Sequence, residues 1–471
     1  MLAIMLEFGL KGNVGAERMS AFFHRVRLEK HVGVSPGALR TRLIRLENAI
    51  RKYGKLQECE QAKQGVVREI TGGGDETFFA EMMLFVMMDL SSGYIIVEEP
   101  APDRCYETWN ERAQNRLAEL NLKVRHFISD RGASLIKLAL DGFGCRSGAD
   151  IFHAQYDVSK WLGAGFFRKL GKASRMVNST EKKMTVLEEK GNDPKKIKTC
   201  KQTLEYENGQ KYKLEQGKNA YSKAQQTVSE AVHPFSVQDG SKQSSSQVES
   251  ALKEQAEKFD EIARTHDIPD HKDMLGKFKR QFQDISGTVE AWWTWAEENV
   301  KSLKLDSTGR AWALYVLLPV IYWHQQMQRC QHSEIKQTYK NAYEKALADY
   351  KSHPFTKTLS EQDIECYRGW AEWMSAKFQR SSSAIEGRNG CLSQIHHCGR
   401  GLSTRRLKTH TVIHNFDMKR ADGTTPAERL FGEKFPDLFE WLLDEIGELP
   451  LPRKARRRSK CNPWNLQTVA A

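Results

Sequence analysis

Nine cysteines are spread along the 471 residues without a single C-x-x-C pair. They form no regular disulfide framework, and we recognise no secretory leader, so we expect reduced thiols in a cytoplasmic protein. Long apolar runs are also missing: AWALYVLLPVIYW, at 311–323, is shorter than the ~18–20 residues of a membrane span and contains Pro319. The sequence therefore predicts neither a disulfide scaffold nor a membrane protein.

What the sequence does contain is an excess of basic residues. Lys and Arg outnumber Asp and Glu by 72 to 60, a formal net charge of +12, which favours a polyanion such as nucleic acid as partner. The tail PRKARRRSK, at 452–460, includes Arg456, Arg457 and Arg458 and is suited to binding phosphates. The chain is too long for one ordinary core, so several domains or one large insertion are expected.

Two helix-period segments lie within residues 16–50 and are separated by VGVSPG. In that link, Ser35 and Pro36 suit the N-cap and the first position of the second helix. The layout predicts a helix-turn-helix in which the second helix buries three leucines and presents three arginines to DNA. These residues are Leu39, Leu43 and Leu46, and Arg40, Arg42 and Arg45. A basic helical hairpin that only packs remains the alternative.

From residue 66 to 160 the hydrophobic period changes and predicts the order β-β-β-α-β-α-β. VVREIT is expected to form a strand that ends at Asp75, within GGGDETFF, and KVRHFISD a strand that ends at Asp130. ADIFH is expected to be a short buried strand. This order is that of the ribonuclease H-like fold, whose first and fourth strands lie side by side, so Asp75 and Asp130 would become neighbours.

The rest of the chain is expected to be helical. Residues 170–280 are rich in Lys, Glu and Gln and predict a helical hairpin or coiled coil. Tryptophans at helical spacing within 286–380 are expected to form a core. They are Trp292, Trp293, Trp295, Trp312, Trp323, Trp370 and Trp373. Serines after 380 would cap a helix that holds Glu386, Arg388 and Asn389.

Two aspartates and a helical glutamate would make an oxygen-only site, which suits Mg²⁺ or Mn²⁺ and not zinc. Two such ions assist phosphodiester displacement by activating the attacking oxygen and stabilising the leaving one. Asp89, after MLFVMM, is an alternative first ligand, because three glycines precede Asp75 where a regular strand would be apolar. The strand count favours Asp75, since starting at Asp89 leaves only one further strand before the first helix.

Several stretches together resemble the DDE transposases of bacterial insertion sequences. These are DETFF, MMDLSSGY, FISDRGASLIKLA, DIFH, SSSAIEGRNGCLS and HNFDMKRADGTTPAERLF, within 66–160 and 381–432. The resemblance implies a ribonuclease H-like catalytic domain interrupted by a large helical insertion. It also implies that Asp75, Asp130 and Glu386 are the catalytic ligands of two metal ions.

The resemblance further implies accessory residues and partners. DIFH looks like the DxxH element of hAT and Mutator-like transposases, so His153 would line the site. Arg388 and Asn389 would orient the glutamate or contact scissile DNA, unless they form only an ion pair and a helix cap. The implied partners are double-stranded DNA, at terminal repeats and target, and further copies of the chain, as a dimer or higher, at the bacterial nucleoid.

Two other functions stay open from the sequence: a non-enzymatic helix-turn-helix regulator, and a ribonuclease H-fold nuclease that does not join strands. The expected fold class is α/β combined with all-α parts. The expected organisation is a DNA-binding region at 1–62, a first catalytic part at 63–165, a helical insertion at 166–378, a second catalytic part at 379–450 and a basic tail at 451–471.

Overall fold

The computed structural model describes residues 1–79, 82–191, 193–397, 401–447 and 449. This part of the chain is mostly helical and contains a five-stranded mixed sheet, which confirms the expected combination of α/β and helical parts. It divides into two compact units: the first comprises residues 1–66 and the described residues from 390 onward, and the second comprises residues 67–389. Among the described residues, no helix is both long and apolar enough to cross a membrane.

The N-terminal part of the first unit is helical. It contains α1 (Leu2–Ile4) with a π-helical continuation (Met5–Lys11), α2 (Ala16–Arg25), a 3-10 turn (Leu28–Lys30) and α3 (Pro36–Lys63). The predicted start of α3 is confirmed, because the Ser35 hydroxyl accepts the Ala38 N–H at 3.3 Å and Pro36 occupies the first turn. The three predicted core leucines, Leu39, Leu43 and Leu46, are buried.

The second unit begins with the sheet. Its strands are β1 (Arg68–Phe79), β2 (Met82–Asp89), β3 (Tyr94–Ala101), β4 (Leu122–Ser129) and β5 (Arg146–Ala149), in the spatial order β3-β2-β1-β4-β5. β1 pairs antiparallel with β2 and parallel with β4. The predicted neighbourhood of the first and fourth strands is therefore confirmed.

The predicted end of the first strand is wrong. Asp75 lies inside β1, which continues to Phe79. Close packing on both faces explains the glycines, since a Cβ on Gly73 would lie 2.7 Å from a Leu90 methyl group and one on Gly74 2.7 Å from the Phe127 ring. The neighbouring side chains supply the apolar cover that the glycines lack.

Three helices are interleaved with the last strands: α4 (Tyr106–Glu119), α5 (Ala133–Lys137, continued as a π-helix over Leu138–Gly142) and α6 (Ile151–Val158, continued over Ser159–Gly163). The predicted strand at ADIFH is wrong. β5 ends at Ala149, and the Asp150 carboxylate accepts the Phe152 N–H at 2.7 Å as the N-cap of α6. His153 consequently lies in the first turn of a helix.

The helices that follow complete the second unit. They are α7 (Ala164–Glu189), α8 (Pro194–Ala231), α9 (Ser245–Thr265), α10 (Met274–Lys279), α11 (Phe282–Asn299), a 3-10 turn (Val300–Ser302), α12 (Ser307–Trp312, continued as a π-helix over Ala313–Leu317), α13 (Leu318–Arg329), α14 (Ser333–Ser352), a 3-10 turn (Phe355–Thr358) and α15 (Glu361–Lys377). α7 and α8 pack along each other as the predicted hairpin.

The predicted tryptophan core is largely confirmed. Five of the seven are buried, namely Trp292, Trp293, Trp295, Trp312 and Trp323. Trp370 is half-buried and packs against this core, whereas Trp373 is exposed, which corrects the prediction for Trp373. The indole of Trp295 donates to Glu69 of β1 at 2.8 Å, so this helical region and the sheet share one packed unit.

The last described elements are α16 (Ser383–Ile395), α17 (Thr404–Phe416), α18 (Pro426–Phe431) and α19 (Leu438–Ile446). The division between the units falls within α16, after Asn389. In the first unit α17 packs on α3, where Arg405 donates to Glu47 at 2.6 Å. Arg456, Arg457 and Arg458, predicted to bind phosphates, lie outside the described residues.

Candidate active site

The parallel register of β1 and β4 brings two predicted aspartates to one position on the sheet. Gly73 of β1 pairs with Ile128 of β4. Asp75 comes two residues after Gly73, and Asp130 comes two residues after Ile128. Because side chains alternate between the two faces of a strand, Asp75 and Asp130 extend from the same face of the sheet. Asp130 stands just after the end of β4, where its carboxylate accepts the Gly132 N–H at 2.9 Å.

Glu386 is brought to the aspartates by α16, whose start is fixed to the sheet domain. The buried carboxylate of Asp150 accepts the backbone N–H of Ser382 at 2.9 Å and also its hydroxyl. The Ile151 N–H donates to the Arg380 carbonyl at 3.0 Å. The beginning of α6 therefore sets the position from which α16, and Glu386 in its first turn, starts.

Two predicted accessory residues contact the acids directly. Nε2 of His153 lies 3.2 Å from Oε1 of Glu386, and Nδ2 of Asn389 donates to Oδ2 of Asp75 at 2.9 Å. Since Asn389 stands three residues after Glu386 on the same helix face, α16 contributes both a carboxylate and the group that holds Asp75.

Asp75 is affected electrostatically by the other two acids of the cluster. Burial raises the pKa of its carboxyl, and the negative charges of Asp130 and Glu386 raise the pKa further, to about 6. The N–H of Glu76 donates to Oδ1 of Asp75 at 2.9 Å and acts in the opposite direction. Among the described residues, no Lys or Arg forms an ion pair with Asp75, so like charges meet there without a cation from the chain.

Asp89, the alternative first ligand, stands elsewhere. Its carboxylate is fully buried and accepts hydrogen bonds from the hydroxyls of Ser91 and Ser92 and from the Ser92 N–H. These bonds close the turn between β2 and β3. The structure brings Asp75, and not Asp89, together with Asp130 and Glu386.

Arg388 forms an ion pair, as in the alternative left open by the sequence, but the pair is buried and not available to DNA. Its guanidinium is buried and forms a bidentate pair with Glu98 of β3, at 2.6 and 2.7 Å. Bidentate Arg–carboxylate pairs are geometrically specific. Arg388 therefore anchors α16 to the sheet and positions Glu386 indirectly.

The three arginines predicted to contact DNA from α3 differ from one another. Arg40 is exposed and paired with Glu17, and Arg45 is exposed. Arg42 is buried and donates to the Gly33 carbonyl, so its predicted DNA contact is wrong. The bond ties α3 to the preceding loop, because a buried guanidinium needs acceptors within the protein.

The donor chemistry of the cluster fits a hard divalent cation. Asp75, Asp130 and Glu386 offer carboxylate oxygens only, and Oδ1 of Asn389 is buried without a hydrogen-bond partner in the described part of the chain. Within that same part, no three His, Cys, Asp or Glu side chains are arranged at metal-ligating positions. The donor types, and not a preformed coordination shell, carry the fit to Mg²⁺ or Mn²⁺.

Sequence reasoning missed Glu98 and Asp150, the two acids that hold α16. The local sequence around Glu98 predicts only a β-strand, and its partner Arg388 lies 290 residues away in sequence. No local pattern therefore indicates the pair. Asp150 had a usable signal: an Asp directly before a helix-period segment is a preferred N-cap.

Comparisons with known proteins give one family match. Residues 314–458 match a model described as a family of unknown function (DUF6399). The matched segment covers less than half of the chain and includes Glu386 and Asn389. No curated protein matches the sequence.

Proposed function

We propose that this chain is a DDE-type DNA transposase that cuts and joins DNA strands at the ends of an insertion sequence, using a ribonuclease H-like catalytic domain. One observation carries the proposal: Asp75 stands on β1 and Asp130 just after the end of its parallel neighbour β4, and the charges of Asp130 and Glu386 act on Asp75. The sheet order β3-β2-β1-β4-β5, with β2 antiparallel to the other four strands, supports the ribonuclease H-like assignment.

The residues of the chain have distinct tasks in this function. Asp75, Asp130 and Glu386 would hold Mg²⁺ or Mn²⁺, which when bound activates the attacking oxygen and stabilises the leaving oxygen of a phosphodiester. Asn389 orients the Asp75 carboxylate, and His153 orients that of Glu386. Phosphoryl transfer depends chiefly on such positioning and on charge neutralisation.

DNA binding is supported by charge. The net charge of +12 supplies salt-dependent affinity for phosphates, and the exposed Arg40 and Arg45 remain candidates for contact from a helix-turn-helix. The burial of Arg42 weakens the case for a regulator that reads DNA through α3 alone.

Strand cleavage of a labelled duplex that carries the DNA flanking the gene tests the proposal. With Mn²⁺ or Mg²⁺, we expect nicked products and, with a target duplex added, joined products. Asp75→Asn, Asp130→Asn and Glu386→Gln should each lower the cleavage rate by about 100- to 1,000-fold. Asp89→Asn, on the same sheet, is the matched control and should cut at the wild-type rate per folded molecule.

The possible products separate the candidate functions. Cleavage without joining would replace the transposase with a hydrolytic nuclease of the same fold. Duplex binding without cleavage by any form of the protein would contradict both enzymes and favour a regulator.

A further inference from the structure

The outward face of α6 carries a pair of exposed aromatic rings. Phe152 is 50% exposed and Tyr156 is 47% exposed, and their rings are nearly parallel, with 7° between planes and 6.0 Å between centroids. One turn further, the ammonium of Lys160 lies 4.1 Å from the Tyr156 ring centroid. Scattered single apolar side chains are normal on a surface, whereas an exposed stacked pair next to a cation indicates a binding face.

A cavity of about 820 Å³ adjoins these rings, in the size range of ligand sites. Its wall includes the rings of Phe152 and Tyr156 together with groups able to bind base edges and phosphates. These groups belong to Asn219, Ser222, Lys223 and His332. One carboxylate, that of Glu334, also lines the cavity. The mixture of flat apolar rings with amide, hydroxyl and ammonium groups is suited to a nucleotide.

The aromatic face is held rigidly against α8. Gln155 donates to the Gln225 carbonyl at 2.8 Å and to the Ser229 hydroxyl at 2.9 Å. The hydroxyls of Ser159 and Tyr221 are 2.9 Å apart, which fixes the next turn of the helix. A binding face that is ordered before binding avoids part of the entropy cost of association.

The rings lie next to the candidate active site. Phe152 precedes His153, the two rings meet edge to face at 5.7 Å, and His153 contacts Glu386 at 3.2 Å. Whatever stacks on Phe152 and Tyr156 therefore lies close to the carboxylates that would act on a phosphodiester.

We infer that Phe152 and Tyr156 form a stacking platform for unpaired nucleobases of the DNA strand next to the scissile phosphate, with Lys160 and Lys223 facing its phosphates. This placement rests on the proposed function, whereas the stacking itself is a separate property. Aromatic side chains stack on any base and make such sites tolerant of sequence. The platform thus assigns a substrate with locally unpaired DNA, in addition to the duplex.

The test uses the full-length protein and a short single-stranded oligonucleotide that contains 2-aminopurine, a base whose fluorescence falls on stacking. Binding is measured in excess chelator, so that no strand can be cut. We expect the wild type to quench the fluorescence, and Phe152→Ala or Tyr156→Ala to weaken binding about 10-fold each, with about 100-fold for both.

Matched controls separate stacking from general charge and from misfolding. Tyr206→Ala and Tyr212→Ala remove exposed rings that lie on α8, and not on α6 with Phe152 and Tyr156, so they should leave quenching unchanged. Tyr156→Phe keeps the ring and should bind like the wild type. Because all of these side chains are surface-exposed, each variant should melt at the wild-type temperature.

Each result has a clear meaning. Wild-type binding without quenching, or quenching that survives the double replacement, would overturn the platform, as would loss of quenching in Tyr206→Ala alone. If the wild type cleaves duplex DNA but never quenches, the proposed function stands and the platform fails. If it quenches through Phe152 and Tyr156 but never cleaves, the platform stands and the transposase proposal fails.

Discussion

Two groups of acids in the same unit differ in what surrounds them. Asp89, Glu98 and Asp150 are buried, and each is satisfied by hydroxyl, N–H or guanidinium donors. Asp75, Asp130 and Glu386 are more accessible and repel one another. The first group fixes the turn after β2 and the position of α16. The second keeps its negative charges close together, with no Lys or Arg ion pair to them within the described part of the chain, which is the condition expected of a functional site.

The largest effect should come from breaking the Arg388–Glu98 pair. Arg388→Ala removes the guanidinium that pairs bidentately with the buried Glu98 carboxylate, so the free energy of unfolding should fall by about 3–5 kcal/mol in a denaturant titration. The double replacement Arg388→Met with Glu98→Leu should recover most of this loss, because both buried charges of the pair are then removed together. Wild-type stability of Arg388→Ala would show that the pair is not structural.

Removing the negative charge of Asp75, in the second group, should raise the free energy of unfolding instead of lowering it. In the metal-free protein, folding raises the pKa of the Asp75 carboxyl from 3.8 to about 6, so the folded protein keeps this carboxyl protonated up to a higher pH than the unfolded chain does. Its contribution to stability is therefore present below pH 3.8 and is lost as the pH rises through about 6. Asp75→Asn should raise the free energy of unfolding at pH 8 by up to ~3 kcal/mol.

The pH profile supplies the control for Asp75→Asn. The gain should shrink as the pH is lowered from 8 towards 4, measured by thermal melting in chelator. A variant that is less stable than the wild type at pH 8 would contradict the raised pKa of Asp75.

Divalent cations should stabilise the wild type through the same carboxylates. At a free Mn²⁺ concentration 100 times the Kd, the free energy of unfolding should rise by about 2.7 kcal/mol, and chelator should reverse it. The increase should be lost in Asp75→Asn and Glu386→Gln and kept in Asp89→Asn. An equal increase in all four proteins would place the cation elsewhere.

The smallest effect is expected at Asp89. An amide can replace only part of the hydrogen bonding of its carboxylate, so Asp89→Asn should lower the free energy of unfolding by about 1–2 kcal/mol. Cleavage per folded molecule should not change. A loss of cleavage as large as that of Asp75→Asn would remove the distinction between the two groups of acids.

Local patterns predicted the elements well and their limits poorly. The order β-β-β-α-β-α-β, the Ser35 cap and the apolar face of α3 were correct because each depends on neighbours in sequence. The end of β1 was wrong because glycines hide the strand pattern, and their cover comes from Leu90 and Phe127. ADIFH was wrong because a short apolar run fits a strand and a helix start equally well.

Charged residues were the least predictable. Arg42 and Arg388 stand at positions that suggest contact with DNA, yet both are buried. Their partners, the Gly33 carbonyl and Glu98, are chosen by the packing of loops and strands and leave no periodic signal. His153 and Asn389 were named correctly as neighbours of the acids, although the atoms that they contact were not predictable.

The sequence by itself determined the types and order of the elements and the presence of acids on β1, after β4 and on α16, since hydrophobic periodicity and capping act over a few residues. Tertiary structure alone decided which acids are neutralised. The parallel register of β1 and β4 sets Asp75 beside Asp130, and the bonds from Asp150 to Ser382 and from Glu98 to Arg388 set α16 and Glu386. Burial and long-range pairing fix the charge state of a carboxylate, and neither is encoded in its local sequence.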